Sequence, residues 1–316
     1  MKGLFLLGAA FLLWLLTGCS GATLEEAPPI RLAAMRGPTA LGMLQMMETG
    51  NHDFTILGMP DQLPPLLVRG EVDVAAVPSN LAAILHNNPD IDVVALAVVT
   101  LGVLHVVDTT GEIAAVEDLV GRTVFVSGQG AMPEFALNYV LSQHGLTPGV
   151  DVHIEFRAEH TEIAAMLEAG TADVALLPEP FVSTVMARVE GLHVAIDLTQ
   201  AWQRVQPQYD LIMSVVIARR SFVEANPTVV AALMDEYAAS VAFVTQNPEA
   251  GAGLAVDFDI IPSLAIGKAA LPRTHITFMY GRDMMYNLTG FYHVLYTQAP
   301  QSIGGSVPDE TFFYMP

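Results

Sequence analysis

From Ile30 onward the chain alternates short β-rich runs with helical stretches, and that alternation leaves few layered architectures open to it. Ile30–Met35, Asp53–Leu57, Asp73–Val77 and Ile91–Val99 read as strands, with helices over Thr39–Thr49, Gln62–Arg69 and Asn80–His86 between them. Apolar runs without polar alternation predict strands buried on both faces, as in mainly parallel sheets covered by helices. The pattern repeats with strands over Val103–Val107, Thr123–Val126, Val152–Phe156, Asp173–Leu176 and His193–Ile196. Helices are predicted there over Ala115–Leu119, Met132–His144, Thr161–Ala169 and Phe181–Val189. Leu211–Ala218 reads as one more strand, and Pro227–Thr245, Glu249–Val256, Pro262–Ala270 and Arg282–Leu295 read as helices.

An internal similarity joins the two halves. Gly70-Glu71-Val72-Asp73-Val74-Ala75 and Gly170-Thr171-Ala172-Asp173-Val174-Ala175 share one form: a glycine ending a helix, then Asp-Val-Ala opening a buried strand. Each copy leads to a proline, Pro78 and Pro178. Any αβ unit favours this punctuation, but one copy in each half is what two similar α/β lobes would produce. At 316 residues the chain is long enough for two such lobes.

The charge balance excludes one class of partner. With 33 acids against 13 bases the formal net charge is −20, and the only lysines are Lys2 and Lys268. Such a surface repels phosphate backbones, so nucleic acid is not expected as a partner.

The first nineteen residues read as an export signal. Lys2 supplies a positive start, and the 13 residues from Leu4 to Leu16 form an apolar run. That is short of the roughly 20 residues a membrane-spanning helix needs, but fits the core of a signal peptide. It ends in Leu16-Thr17-Gly18-Cys19, the form of a bacterial lipobox, whose cysteine thiol accepts a diacylglyceryl group before cleavage. Cys19 is the sole cysteine, so no disulfide can form within a monomer. Residues 1–18 are therefore expected to be a signal peptide and residues 19–28 a flexible acidic tether. No later apolar run is read as reaching spanning length, so the rest is expected to be soluble but lipid-anchored at the membrane.

In open α/β sheets ligands bind outside the carboxyl ends of the strands. The residues there form four polar corners: Gly37-Pro38-Thr39 with Arg36 before it, Ser79-Asn80, Ser127-Gly128-Gln129-Gly130, and Glu179 between two prolines. Glycine lets a ligand approach the backbone, and free N–H groups at a helix start attract a negative or carbonyl group. Ser79 and Asn80 offer hydroxyl and amide groups, and Gln129 sits in a small backbone nest. Glu179 would favour an amine, amidine or hydroxyl. Each corner alone is most simply a helix cap or solvated turn; the set of four, facing one another from two lobes, makes a binding cleft. Arg36 favours an anion, whereas Glu179 and Glu134 favour an amine, and the residues leave that choice open.

Other chemistry is not legible. The nine histidines contain no HExxH, and His153 and His160 straddle a strand and a loop. No G-x-S-x-G occurs, and Gly128-Gln129-Gly130 lacks the third glycine of a dinucleotide fingerprint. No catalytic set, metal or cofactor is expected. Met43, Met46 and Met47 read as core packing, and Trp202 and Tyr209 as ligand stacking or packing at the return between lobes.

GPTALGM, EVDVAAVPSNLA, DLVGRTVFVSGQGAMPEFALNYVL and GTADVALLPEPFVS resemble periplasmic solute-binding proteins of the nitrate/sulfonate/taurine type, which include thiamine-pyrimidine binders. The similarity covers Ile30 to Tyr314. It implies a type II periplasmic-binding fold: two Rossmann-like lobes joined by two crossovers and closing over a ligand. Residues 29–107 and 214–316 would form lobe I and 108–213 lobe II. It also implies a monomer that binds a small-molecule solute and delivers it to an ABC permease and ATPase. Where related sequences read Gly-Pro-Thr-Gly-Met-Gly, this one has Gly37-Pro38-Thr39-Ala40-Leu41-Gly42. Enzymes of the same fold, either thiamine-pyrimidine synthases or menaquinone-pathway enzymes, are the alternative. The former rely on clustered cysteines and the latter carry no export signal. A sensory lipoprotein is a third reading.

Overall fold

The computed structural model describes residues 29–316; the signal segment, Cys19 and the tether lie outside the described residues. The chain first lays down β1 (Arg31–Met35), α1 (Leu44–Thr49), β2 (Asp53–Leu57), α2 (Leu63–Val68), β3 (Val74–Pro78), α3 (Ser79–His86) and β4 (Val93–Leu101). A second set follows: β5 (Leu104–Asp108), β6 (Thr123–Ser127), α4 (Met132–Gln143), β7 (His153–Arg157), α5 (His160–Glu168), β8 (Val174–Pro178), α6 (Phe181–Met186), β9 (His193–Asp197) and α7 (Leu198–Val205). The last part comprises β10 (Ile212–Arg219), α8 (Arg220–Ala225), α9 (Pro227–Gln246), α10 (Pro248–Asp257), α11 (Leu264–Ala270), β11 (Ile276–Tyr280) and α12 (Gly281–Gln298).

Two sheets result, with strand orders β11-β4-β10-β3-β1-β2 and β7-β6-β8-β5-β9. The α/β class is as expected, but the sheets are mixed where mainly parallel ones were expected. β1 pairs in parallel with β2 and β3, and β6 with β7 and β8. β10 inserts antiparallel between β3 and β4, and β5 antiparallel between β8 and β9. The cause is topological: β5 and β10 are the first strands laid down after the chain changes sheets, so each enters from the opposite end. β11 then adds antiparallel to β4 at the edge.

Placed side by side, β2-β1-β3-β10-β4 and β7-β6-β8-β5-β9 match position for position. β3 and β8, which carry the repeated Asp-Val-Ala, hold the same central place, and the glycines before them have φ of 65° and 66°. The boundary expected after residue 107 falls earlier, because β5 pairs only with strands of the second sheet. The chain therefore crosses at Gly102-Val103 and returns between Val205 and Ile212.

Close approaches fix both crossings. A Cβ on Gly102 would collide with the Thr199 side chain, and one on Gly290 with the Tyr209 ring. Trp202 is fully buried beside the return, its Nε1–H donating to Tyr209 O at 2.9 Å. Its ring lies 4.5 Å from Tyr139 and 5.7 Å from Phe291, centroid to centroid. One apolar core thus runs through both sheets, and Trp202 takes the packing role.

The expectation that no later segment reaches spanning length needs correction: among the described residues, α9 is long and apolar enough to cross a membrane. Here it packs by one face, with Val230, Leu233, Tyr237, Val241 and Val244 in the core of the first sheet and most of its other residues partly or fully exposed. The Tyr237 ring presses on Gly42, where a Cβ would lie 3.1 Å from Cε1. The helix expected from Thr39 accordingly starts as a 3-10 turn, Pro38–Met43, before α1. α7, α8 and β11 are elements the sequence pattern did not yield.

Candidate functional site

The two sheets meet through their carboxyl edges. β4 ends at Leu101 and passes through Gly102-Val103 into Leu104, which pairs with Pro178 at the carboxyl end of β8. Glu179 N–H then donates to Val103 O at 3.0 Å. All four predicted corners therefore lie along the two edges that face the crossing.

On the first edge Gly37 has φ 108°, Pro38 opens the turn, and Thr39 is buried. Ser214 of β10 is in register with Pro78, and its Oγ lies 3.5 Å from Thr39 Oγ1. Ser79 is fully buried; its hydroxyl donates to Ile212 O at 2.6 Å and its carbonyl accepts from Tyr292 Oη at 2.8 Å. Ser79 thus ties β10 and α12 to the corner, and its hydroxyl proton is spent. Asn80 differs: it is 6% exposed, and its side chain has no hydrogen-bond partner among the described residues. Arg36 is exposed and engaged, with Nη1 donating to Asp259 O at 2.5 Å and Oδ2 at 3.2 Å.

On the second edge Ser127 closes β6, in register with Arg157 of β7. Its Oγ bonds to His160 Nδ1 at the start of α5, a residue that sequence reasoning set aside. Burial pulls the His160 pKa down to about 4, so the imidazole is neutral at pH 7. A serine hydroxyl on an imidazole nitrogen is the arrangement of a nucleophile–base pair, which works when a third group orients the base. Among the described residues, however, no carboxylate bonds the second ring nitrogen of His160, and such a depressed pKa makes a weak base. Gly128 and Gly130 have φ of 80° and 74°, and Gln129 is exposed between them. The Gly130 N–H is taken: it donates to Glu134 Oε2 at 2.6 Å.

Glu179 does not reach out as its place between two prolines predicts. It is fully buried, with Oε2 accepting from Ser183 N at 3.1 Å and Oε1 from Arg273 Nη1 at 3.3 Å. Burial pushes its carboxyl up, and the bonds from Ser183 and Arg273 act against that. Arg273 follows α11, on the chain of the first sheet, so the pair fastens one half of the molecule to the other.

Four residues escaped sequence reasoning. Ser214 was legible in principle, as a lone polar residue inside an apolar run. Arg273 and His160 stand in no motif. His105 of β5 is 3% exposed, both ring nitrogens lack partners among the described residues, and burial lowers its pKa. No group of three or more metal-ligating side chains comes together among the described residues. A cavity of about 600 Å³ lies elsewhere, at the amino ends of β1, β2 and β3, against the cluster in which Arg31 and Arg219 pair with the buried Asp73.

Comparison with known proteins sets this geometry in context. An ABC transporter from Parabacteroides distasonis superposes with a TM-score of 0.78 at 22% identity, covering 91% of this chain and 99% of that one. The periplasmic aliphatic sulphonate binding protein SsuA of Escherichia coli gives 0.73 at 15% identity, covering 92% and 93%. The alkanesulfonate-binding protein SsuA of Xanthomonas axonopodis pv. citri, bound to MOPS, gives 0.65 at 13%, covering 90% and 95%. At these identities the likeness is one of fold. No curated protein matches significantly by sequence. The NMT1/THI5-like family model matches residues 53–251, from β2 into α10, taking in all of the second sheet and most of the first. A match of that extent, over mirrored sheets joined at their carboxyl edges, makes the chain a member of the NMT1/THI5-like family.

Proposed function

We propose that the chain is an extracytoplasmic solute-binding protein, anchored by lipid on Cys19, that holds a small molecule between the carboxyl edges of its two sheets and passes it to an ABC permease and ATPase. The observation that carries this reading is the mirrored topology. Two sheets of the same order are joined by two short crossings, each with polar corners turned toward the other. Such an arrangement can open and close about its crossings and exclude water from what lies between. The lobes of this reading are residues 29–102 with 212–316, and 103–211. Solved proteins of the same fold are named as an ABC transporter and as sulfonate-binding proteins, and the Leu16-Thr17-Gly18-Cys19 motif supports export and anchoring. Asn80, Thr39, Ser214, Ser127 and the Gly128–Gly130 backbone are the groups assigned to the solute.

Thermal melting of the full chain in detergent tests this, against sulfonates, nitrate, taurine, thiamine precursors, flavins and nucleobases. A solute at about 100 times its Kd adds roughly 2.7 kcal/mol of stability, readily seen as a raised Tm. Asn80→Ala should abolish that rise while leaving the ligand-free Tm within a few degrees. A panel with no stabilising solute, or a rise that survives Asn80→Ala, counts against the reading.

A further inference from the structure

We propose that His105 makes the crossing between the two halves a proton-operated joint, in which a proton taken up by this imidazole drives the halves apart. Such a joint works whatever solute is held, and so goes beyond the reading given under Proposed function.

His105 is the second residue of β5, the strand laid down straight after Gly102-Val103. It lies in register with Leu177 of β8 on one side and Asp197 of β9 on the other. The residue is 3% exposed, and neither ring nitrogen has a partner among the described residues. A buried polar group without partners is unfavourable, so an apolar side chain would fill this place at lower cost.

The charged groups that act on the ring are divided between the halves. Asp197 belongs to the second sheet, as His105 does. Its carboxylate is fixed by capping α7, where it accepts from Thr199 N at 2.9 Å and Gln200 N at 3.2 Å. Arg273 and His275 belong to the chain of the first sheet, between α11 and β11. Arg273 Nη1 donates to Glu179 Oε1 at 3.3 Å, just past β8, and His275 Nδ1 donates to Gly102 O at 2.5 Å. A positive charge on His105 is therefore attracted by a group of its own half and repelled by Arg273 and His275 of the other. Moving the halves apart relieves that repulsion and admits water to the ring, while the attraction to Asp197 stays.

Burial, together with Arg273 and His275, holds the His105 pKa below its ordinary value against the pull of Asp197. With the halves apart the imidazole returns toward about 6.5. The joined arrangement thus binds the proton more weakly, and acid favours the parted one from about pH 6.5 downward. Glu179 acts in the opposite sense, because burial raises its carboxyl and so favours a proton there while the residue stays enclosed. Replacing His105 leaves the Glu179 contribution in place, so the difference between wild type and variant reports the imidazole alone.

Met59 and Ala158 are exposed and follow β2 and β7, which hold equivalent places in the two sheets. Nitroxide labels on Met59→Cys and Ala158→Cys therefore read the separation of the halves by pulsed electron paramagnetic resonance. The full chain is used in detergent without solute, with Cys19→Ser so that the two introduced thiols are the only ones. With His105 present, lowering the pH from about 7.5 to about 5 should shift the distances to longer values, with a midpoint between about 5 and 6.5. His105→Gln and His105→Asn keep a donor and an acceptor but take up no proton in this range. Both should hold the neutral-pH distances throughout. Unchanged distances with His105 present, or the same lengthening in the variants, would overturn the proposal and leave the solute-binding reading in place. Should neither variant fold, a midpoint in the carboxylate range, below about pH 5, would overturn it equally.

Discussion

Two aspartates hold the same place in the repeated Gly-X-X-Asp-Val-Ala motif and meet different surroundings. Asp173 is exposed, with Thr109 Oγ1 3.2 Å away. Asp73 is buried, and it accepts from Arg31 Nε at 2.8 Å, Arg31 Nη2 at 2.6 Å and Arg219 Nη2 at 2.6 Å. Burial alone would raise the Asp73 carboxyl, but the bonds from Arg31 and Arg219 outweigh it and hold the pKa below the ordinary value. A depressed carboxylate stabilises the fold above its unfolded pKa of about 3.9, and that contribution is lost as pH falls through the folded value. Asp73→Asn should therefore cost about 2 kcal/mol at pH 7, less than for a fully enclosed pair because both guanidinium groups reach solvent. In urea unfolding the gap to wild type should narrow as pH drops below about 4, and Asp173→Asn should change stability by no more than about 0.5 kcal/mol. Equal effects at the two positions would mean that the arginine cluster is not what sets Asp73 apart.

Among the elements, α12 and α10 make a paired test of close approach. Gly290 lies inside α12 against the Tyr209 ring, whereas Gly253 lies inside α10 with nothing within 4 Å of where a Cβ would stand. Gly290→Ala should drive the ring off the helix and cost about 1–3 kcal/mol. Gly253→Ala should gain about 0.5–1 kcal/mol from reduced chain entropy. Opposite signs in thermal melts would establish that the return crossing is clamped by contact. Matching signs would show that Tyr209 yields freely. No feature of the sequence around Gly290 announces that contact, since the partner lies in a loop about eighty residues earlier. Elements were legible wherever hydrophobic runs and glycine or proline stops coincide, as at β3 and β8. β11 (Ile276–Tyr280) escaped because it is a five-residue edge strand with no buried residue among its five. The antiparallel sense of β5 and β10 was illegible for another reason: strand direction depends on which sheet the chain has just left, and local pattern does not carry that information.

At the scale of the whole molecule, the sequence marked the corners but not what their charges do. Position after a strand is a local property and could be read; whether Glu179 faces a ligand or Arg273 depends on a residue 94 positions away. The same long-range closure makes Trp202 useful. The chain has two tryptophans, Trp14 and Trp202, and under the proposed processing at Cys19 Trp14 leaves with the signal peptide, so Trp202 is a single emitter seated where both sheets share one core. The Trp202 indole touches Tyr139 from the second-sheet side and Phe291 from α12, and bonds to Tyr209 in the return crossing. Any rotation of one half against the other must shift at least one of those contacts, because a packed interior cannot deform smoothly. Titrating the processed protein with a stabilising solute should change the emission intensity or wavelength saturably, with a midpoint equal to the calorimetric Kd. Asn80→Ala should remove the change. Glu179→Gln, which weakens the tie to Arg273, should move the ligand-free emission without abolishing the response. Heat of binding with flat Trp202 emission would instead describe a rigid pair of sheets, with the solute entering a cleft already formed.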